Sequence, residues 1–122
     1  MNERRSAQRW SVNKEAQLQV QDRENVFPCF VEDLSANGMR ISLGKYLFPE
    51  VFSKMTLALG DALSFNTGAH VAWQESQEGR NTYGLSFNDI DEVQRNRIQH
   101  YINNNFTDTI SERNKEQWWK GL

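Results

Sequence analysis

Residues 83–106 read YGLSFNDIDEVQRNRIQHYINNNF, and the hydrophobic period changes inside this stretch. Tyr83, Leu85 and Phe87 alternate with small or polar neighbours, the period of two expected of a strand with one buried face. From Ile90 onward, Ile90, Val93, Ile98, Tyr101, Ile102 and Phe106 fall near helical spacing and make a single apolar stripe. Between the two patterns, Asp89-Ile90-Asp91-Glu92 has capping-box spacing, with a carboxylate at the cap and Glu92 three residues on. This stretch predicts a last strand followed by one amphipathic helix that lays its apolar face on the strands.

Upstream, period-two segments recur. Val12, Ala16, Leu18 and Val20 share one parity, with Asn13, Gln17 and Gln19 on the other. A polar turn at Asp22–Asn25 leads to a second strand from Val26 to Val31, where Pro28 requires an edge position or a bulge because it cannot donate to a ladder. Asp33 to Gly38 reads as a turn, and Met39, Ile41 and Leu43 resume alternation. An irregular segment from Lys45 to Lys54 contains the breaker Pro49. Met55, Leu57 and Leu59 then alternate up to a turn at Gly60-Asp61. Leu63 and Phe65 lead to a kink around Gly68, after which Ala69, Val71 and Trp73 continue the inward parity toward a polar tip at Glu75–Asn81. Six or seven short strands at roughly ten-residue spacing predict a small antiparallel barrel or sandwich.

The 122 residues suit one domain, and their composition is that of an ordinary globular protein. A net charge of −2 argues against a general nucleic-acid binder working through bulk electrostatics. The charge is unevenly distributed, however. Residues 1–14 set four cations (Arg4, Arg5, Arg9, Lys14) against the single carboxylate of Glu3, so an anion-attracting patch lies at the start of an otherwise acidic chain. Cys29 is the one cysteine, which excludes an internal disulfide and suits a reducing cytoplasm. No apolar run approaches the ~20 residues of a membrane span, so no membrane insertion is expected. His70, His100 and Cys29 lack metal-ligand spacing, and no nucleophile–His–acid set or phosphate-cradling glycine loop is present. The expectation is a binding protein rather than an enzyme, with no metal and no cofactor.

Two polar motifs stand out against the strands. Arg4-Arg5-Ser6-Ala7-Gln8-Arg9 places planar cationic forks four residues apart, suited to phosphate oxygens and to the O6 and N7 edge of guanine. Asp33-Leu34-Ser35-Ala36-Asn37-Gly38 places a carboxylate, a hydroxyl and a glycine in one turn. The carboxylate can accept from guanine N1 and N2, and glycine lets a ligand approach the backbone. Either motif alone also reads as a solvated tail or an ordinary turn. Together they point to a small anionic ligand that contains a base.

Arg5-x-x-x-Arg9 followed by Asp33-x-Ser35-x-x-Gly38 resembles the two-part signature of PilZ domains, bacterial receptors for cyclic di-GMP. The strands at Val71–Trp73 and Tyr83–Phe87 and the helix after them also fit that family, over roughly residues 3–106. Asn37 stands where many relatives have glycine, a residue type that tolerates left-handed backbone. The resemblance implies a mainly β fold, a six-stranded antiparallel barrel with a C-terminal α-helix covering one end. It implies that Arg5 and Arg9 contact phosphates and guanine edges, that Asp33 and Ser35 hold a guanine, and that Gly38 keeps the surface open. Arg4 sits where arginine accompanies binding of two intercalated ligand molecules, and Trp73 where an indole packs on the ligand. Trp10, next to Arg9, is a further candidate to close over a base.

The expected organisation is a loop over residues 1–11, a barrel and helix over 12–106, and a tail over 107–122 in which Trp118 and Trp119 dock on the barrel or on a partner. Signalling would proceed through ordering of the N-terminal loop and an altered contact with a downstream protein. Two other readings stay open from the residues themselves. One is a barrel for single-stranded RNA, which the acidic balance disfavours. The other is a protein-interaction module whose nucleotide site is idle.

Overall fold

Strand β1 (Trp10–Val20) buries Val12, Ala16, Leu18 and Val20 and leaves Ser11, Glu15 and Gln17 exposed, as its alternation requires. The same logic builds β2 (Val26–Leu34), β3 (Gly38–Leu43), β4 (Met55–Leu59), β5 (Leu63–Gln77) and β6 (Arg80–Asn88). These belong to a computed structural model that describes residues 10–21 and 26–105. The predicted turn at residues 22–25 and the tail beyond residue 105 lie outside the described residues, as does the apolar position Phe106.

The strands close into an antiparallel barrel in the order β1-β2-β3-β6-β5-β4, with β4 returning to β1 through Gln17↔Ala58 to Val20↔Met55. Closure leaves no open sheet edge to be protected. Pro28 pairs with Gln17 of β1, but the ladder between β2 and β3 begins only at Phe30, so the proline sits where one side of the strand has no partner. Leu18, Leu34, Met39, Ile41, Leu57, Phe65, Tyr83 and Leu85 fill the interior at 1% exposure or less.

The irregular segment between β3 and β4 is held by one buried tyrosine. Tyr83 Oη accepts from the Leu47 amide (2.7 Å) and donates to the Leu47 carbonyl (3.0 Å). Its ring packs 5.1 Å from that of Phe52, which the 3-10 turn Pro49–Ser53 delivers fully buried. Pro49 opens that turn, where its missing amide costs nothing.

Residues 92–105 form a helix, here α1. Its N-cap is Asp91, whose Oδ1 accepts from the Gln94 amide at 2.9 Å, and not Asp89 as the spacing suggested. Asp89 instead takes a left-handed conformation (φ 57°) that turns the chain out of β6. Gln94, Ile98, Tyr101 and Ile102 are buried, whereas Val93 is 58% exposed, because at five residues before Ile98 it lies about 140° around the helix from the covered face. Gln94 Oε1 accepts from the Asn66 amide (3.0 Å) and Arg97 donates to the Ser64 carbonyl (3.2 Å), fixing α1 along β5. No helix among the described residues is long and apolar enough to cross a membrane.

The polar tip expected at Glu75–Asn81 is mostly ladder. β5 and β6 stay paired to Gln77↔Arg80 and turn through Glu78 and Gly79, both at positive φ. The extension is solvated on both faces, so its sequence carries no alternation to announce a strand.

Candidate functional site

Two adjacent rows of register partners cross five strands. The inner row runs Trp10↔Leu34↔Met39↔Leu85↔Val71, and Leu34, Met39 and Leu85 are at most 1% exposed. The neighbouring row runs Ser11↔Asp33↔Arg40↔Gly84↔Trp73. Successive residues of a strand point to opposite faces, so this second row lies on the outside of the barrel. With strands ~4.8 Å apart it extends about 19 Å from end to end.

Unbroken alternation would not produce that row. The β2–β3 register shifts between Val31 and Asp33, the β1–β2 register between Ser11 and Lys14, and the β5–β6 register between Val71 and Trp73. Each bulge inserts a residue and reverses the facing of the strand beyond it. Val31 and Leu34, three apart, are therefore both fully buried, and Asp33 between them is turned outward. Asn13 supplies the left-handed residue of the β1 bulge (φ 50°), a conformation its short amide side chain tolerates. Ala72 is the inserted residue of β5, and it overturns the inward placement expected of Trp73. The indole is 41% exposed on the outer face.

Asp33 is 9% exposed. Arg40 crosses from β3 to meet it, Nε lying 3.3 Å from Asp33 Oδ2 and 3.0 Å from Glu32 Oε1. The β2 bulge places both carboxylates within reach of one guanidinium. Next to Arg40, Gly84 leaves a gap in the row that Trp73 fills. A Cβ on Gly84 would collide with the indole at Nε1, Cε2 and Cδ1, so the absence of a side chain lets the ring lie down on β6.

The turn from Ser35 to Gly38 is built by its own hydroxyl. Ser35 Oγ accepts from the Asn37 amide (3.0 Å) and the Gly38 amide (3.2 Å) and donates to the Gly38 carbonyl (3.3 Å). The Ser35 amide also donates to the Gly38 carbonyl (2.8 Å), and Ser35 is 2% exposed. Gly38 is not at positive φ. It is required because a Cβ there would strike the Leu85 carbonyl oxygen where β3 and β6 approach. Asn37 does not use left-handed backbone either. Its carbonyl accepts from the Phe87 amide (2.8 Å) and its Oδ1 from Arg95 of α1 (3.0 Å), which ties the motif turn to the helix.

Of the seven residues expected to hold a ligand, Asp33 and Trp73 share the outer row, while Ser35 and Gly38 shape the turn beside it. Arg4, Arg5 and Arg9 lie outside the described residues. The two residues that follow the motif are described: Trp10 pairs with Leu34 and Ser11 with Asp33. Trp10 packs against the core. Sequence reasoning passed over Arg40, Glu32 and Gly84. Arg40 had a signal, a cation on the polar parity between Met39 and Ile41, and Gly84 had another, a glycine inside a strand.

Elsewhere, burial pushes the Cys29 thiol up to about 12, so it is a packed hydrophobe without nucleophilic character. No group of His, Cys, Asp or Glu among the described residues is arranged to hold a metal ion. A polar surface cavity of about 380 Å³ bordered by Lys54, Asn66 and Asp89 lies away from the row.

The family model described as PilZ domain matches residues 3–104. No curated protein matches the chain by sequence. Among solved structures, the chain superposes on YcgR of Escherichia coli in complex with c-di-GMP with a TM-score of 0.64 and 16% identity, over 98% of this chain and 51% of that one. The chain thus spans about half the length of that protein. The isolated PilZ domain of YcgR with c-di-GMP gives 0.64 at 17% identity, covering 93% of this chain and 99% of that one. The inhibitor of motility of Bacillus subtilis gives 0.61 at 17% identity, covering 86% and 53% respectively. At these identities the likeness is one of fold.

Proposed function

The chain belongs to the PilZ domain family, and from that premise we propose that it is a receptor for cyclic di-GMP. The observation that supports this most is the outer row. It sets a carboxylate and guanidinium suited to a base edge and an exposed indole suited to a base face on one surface. Asp33 and Trp73 are three strand steps apart, about 14 Å, a span a cyclic dinucleotide can bridge. The groups that the described residues bring together suit recognition of a base edge and a base face.

In this reading Arg5 and Arg9 take the phosphates as charge-assisted donors. Asp33 accepts from guanine N1 and N2, Trp73 stacks, and Ser35 and Gly38 hold the turn in place. Arg4 stabilises a second, intercalated ligand molecule. Binding joins the N-terminal segment to the barrel face and so changes the surface that a downstream protein meets.

Titration calorimetry with cyclic di-GMP tests the proposal. An affinity near micromolar is expected, about −8 kcal/mol. Arg5→Ala or Arg9→Ala should weaken it by about 1.5–3 kcal/mol, at least tenfold. Arg4→Ala should lower the saturation ratio before the first-site affinity. Absence of binding to the parent protein, or tighter binding to longer single-stranded RNA than to the dinucleotide, would overturn it.

A further inference from the structure

The cluster of Glu32, Asp33 and Arg40 gives the cyclic di-GMP reading a finer point, and the inference rests on that reading. We propose that Arg40 is a specificity-determining residue that reads the O6 edge of the guanine whose N1 and N2 face Asp33.

Three observations lead there. First, Arg40 meets the two carboxylates through Nε, at 3.0 and 3.3 Å. Nε is buried, yet the side chain as a whole is 42% exposed. The inner atom of the fork is held by the acids, so the exposed surface of the side chain lies on its other atoms.

Second, Arg40 lies between two carboxylates. A phosphate placed there would meet both acids at close range, whereas a neutral base edge would not be repelled by them. Its chemistry therefore differs from that of the N-terminal arginines, which have one carboxylate among them in the first fourteen residues.

Third, the register sets donor beside acceptor. Asp33 and Arg40 are direct cross-strand partners on the same face. A carboxylate next to a guanidinium matches an edge that presents N2–H, N1–H and then the acceptor O6 in sequence, which is guanine. Adenine offers an N6–H donor and an N1 acceptor there, so each group would meet its own kind and remain unsatisfied. On the other side of Arg40, the indole of Trp73 covers Gly84, so a base edge over Arg40 would lie beside that ring.

The test compares cyclic di-GMP and cyclic di-AMP, titrated by NMR up to millimolar ligand against the parent, Arg40→Met and Arg40→Lys proteins. Arg40→Lys keeps a cation for both carboxylates, so it secures the fold if Arg40→Met does not. A single ammonium cannot anchor the acids and reach a base at once. Both variants should lose about tenfold or more in cyclic di-GMP affinity and no more than about twofold for cyclic di-AMP, so guanine selectivity narrows. Full cyclic di-GMP affinity in Arg40→Lys, or equal losses for both dinucleotides, would overturn the assignment by reducing Arg40 to a counter-charge. A parent protein that binds neither dinucleotide would instead sink the receptor reading itself.

Discussion

Placing a methyl group on Gly84 is the sharpest probe of the outer row, because it displaces an exposed indole and leaves the core untouched. An alanine Cβ there would occupy the positions of Nε1, Cε2 and Cδ1 of Trp73, so the ring has to lift. Trp73 is 41% exposed, which leaves about 150 Å² of its surface covered. If half of that cover is lost, about 75 Å² returns to water, a cost of about 2 kcal/mol at ~25 cal/mol per Å². Restricting the unfolded chain by replacing glycine returns about 0.4–1 kcal/mol. The net loss is about 1 kcal/mol, or roughly 4–8 °C in Tm. Ligand binding should suffer more. Loss of a base stack costs about 1–3 kcal/mol, about fivefold to 150-fold in Kd. The assay is a double-mutant cycle in cyclic di-GMP affinity with Gly84→Ala, Trp73→Ala and the pair. If Gly84 acts only by seating the indole, the double variant binds no worse than Trp73→Ala alone. Additive losses, or parental affinity in Gly84→Ala, would refute the reasoning.

Gly38→Ala should be more damaging to the fold, because its Cβ meets the Leu85 carbonyl and backbone has to move. A loss of about 2–3 kcal/mol is expected, seen as a Tm drop of about 10 °C or more with binding impaired. Asp91→Ala should cost about 1 kcal/mol through loss of the cap to Gln94, while Asp89→Gly, which relieves a left-handed residue, should leave the thermal melt within about 2 °C of the parent. Tyr83→Phe should cost about 1–3 kcal/mol by stranding the Leu47 amide and carbonyl, and hydrogen exchange should locate the added opening in residues 44–54. Cys29 has a thiol raised from 9.0 to about 12 by burial, so the folded state holds its proton longer than the unfolded chain. Its contribution to stability is full below pH 9 and declines as pH rises toward 12. Cys29→Ala should flatten that alkaline decline in chemical denaturation, and labelling of the parent thiol at about pH 8 should proceed only as fast as the protein opens.

Local patterns in the chain establish which segments alternate, where the period changes to that of a helix, and that an arginine motif and an acidic turn stand out against the strands. Those signals are local: a buried face every second residue, a breaker, a charge imbalance. Strands without a buried face, such as the extension to Gln77, left no such mark, and capping-box spacing pointed to Asp89 where the helix is capped by Asp91. What the outer face presents depends instead on how the strands pair. A bulge is a mismatch between two strands, so neither strand's own sequence announces that Asp33 and Trp73 turn outward. Likewise Gly38 and Gly84 are explained by a carbonyl and an indole that arrive from elsewhere in the chain. Arg40 becomes part of the site because register, a property of pairs, sets it between Asp33 and Gly84.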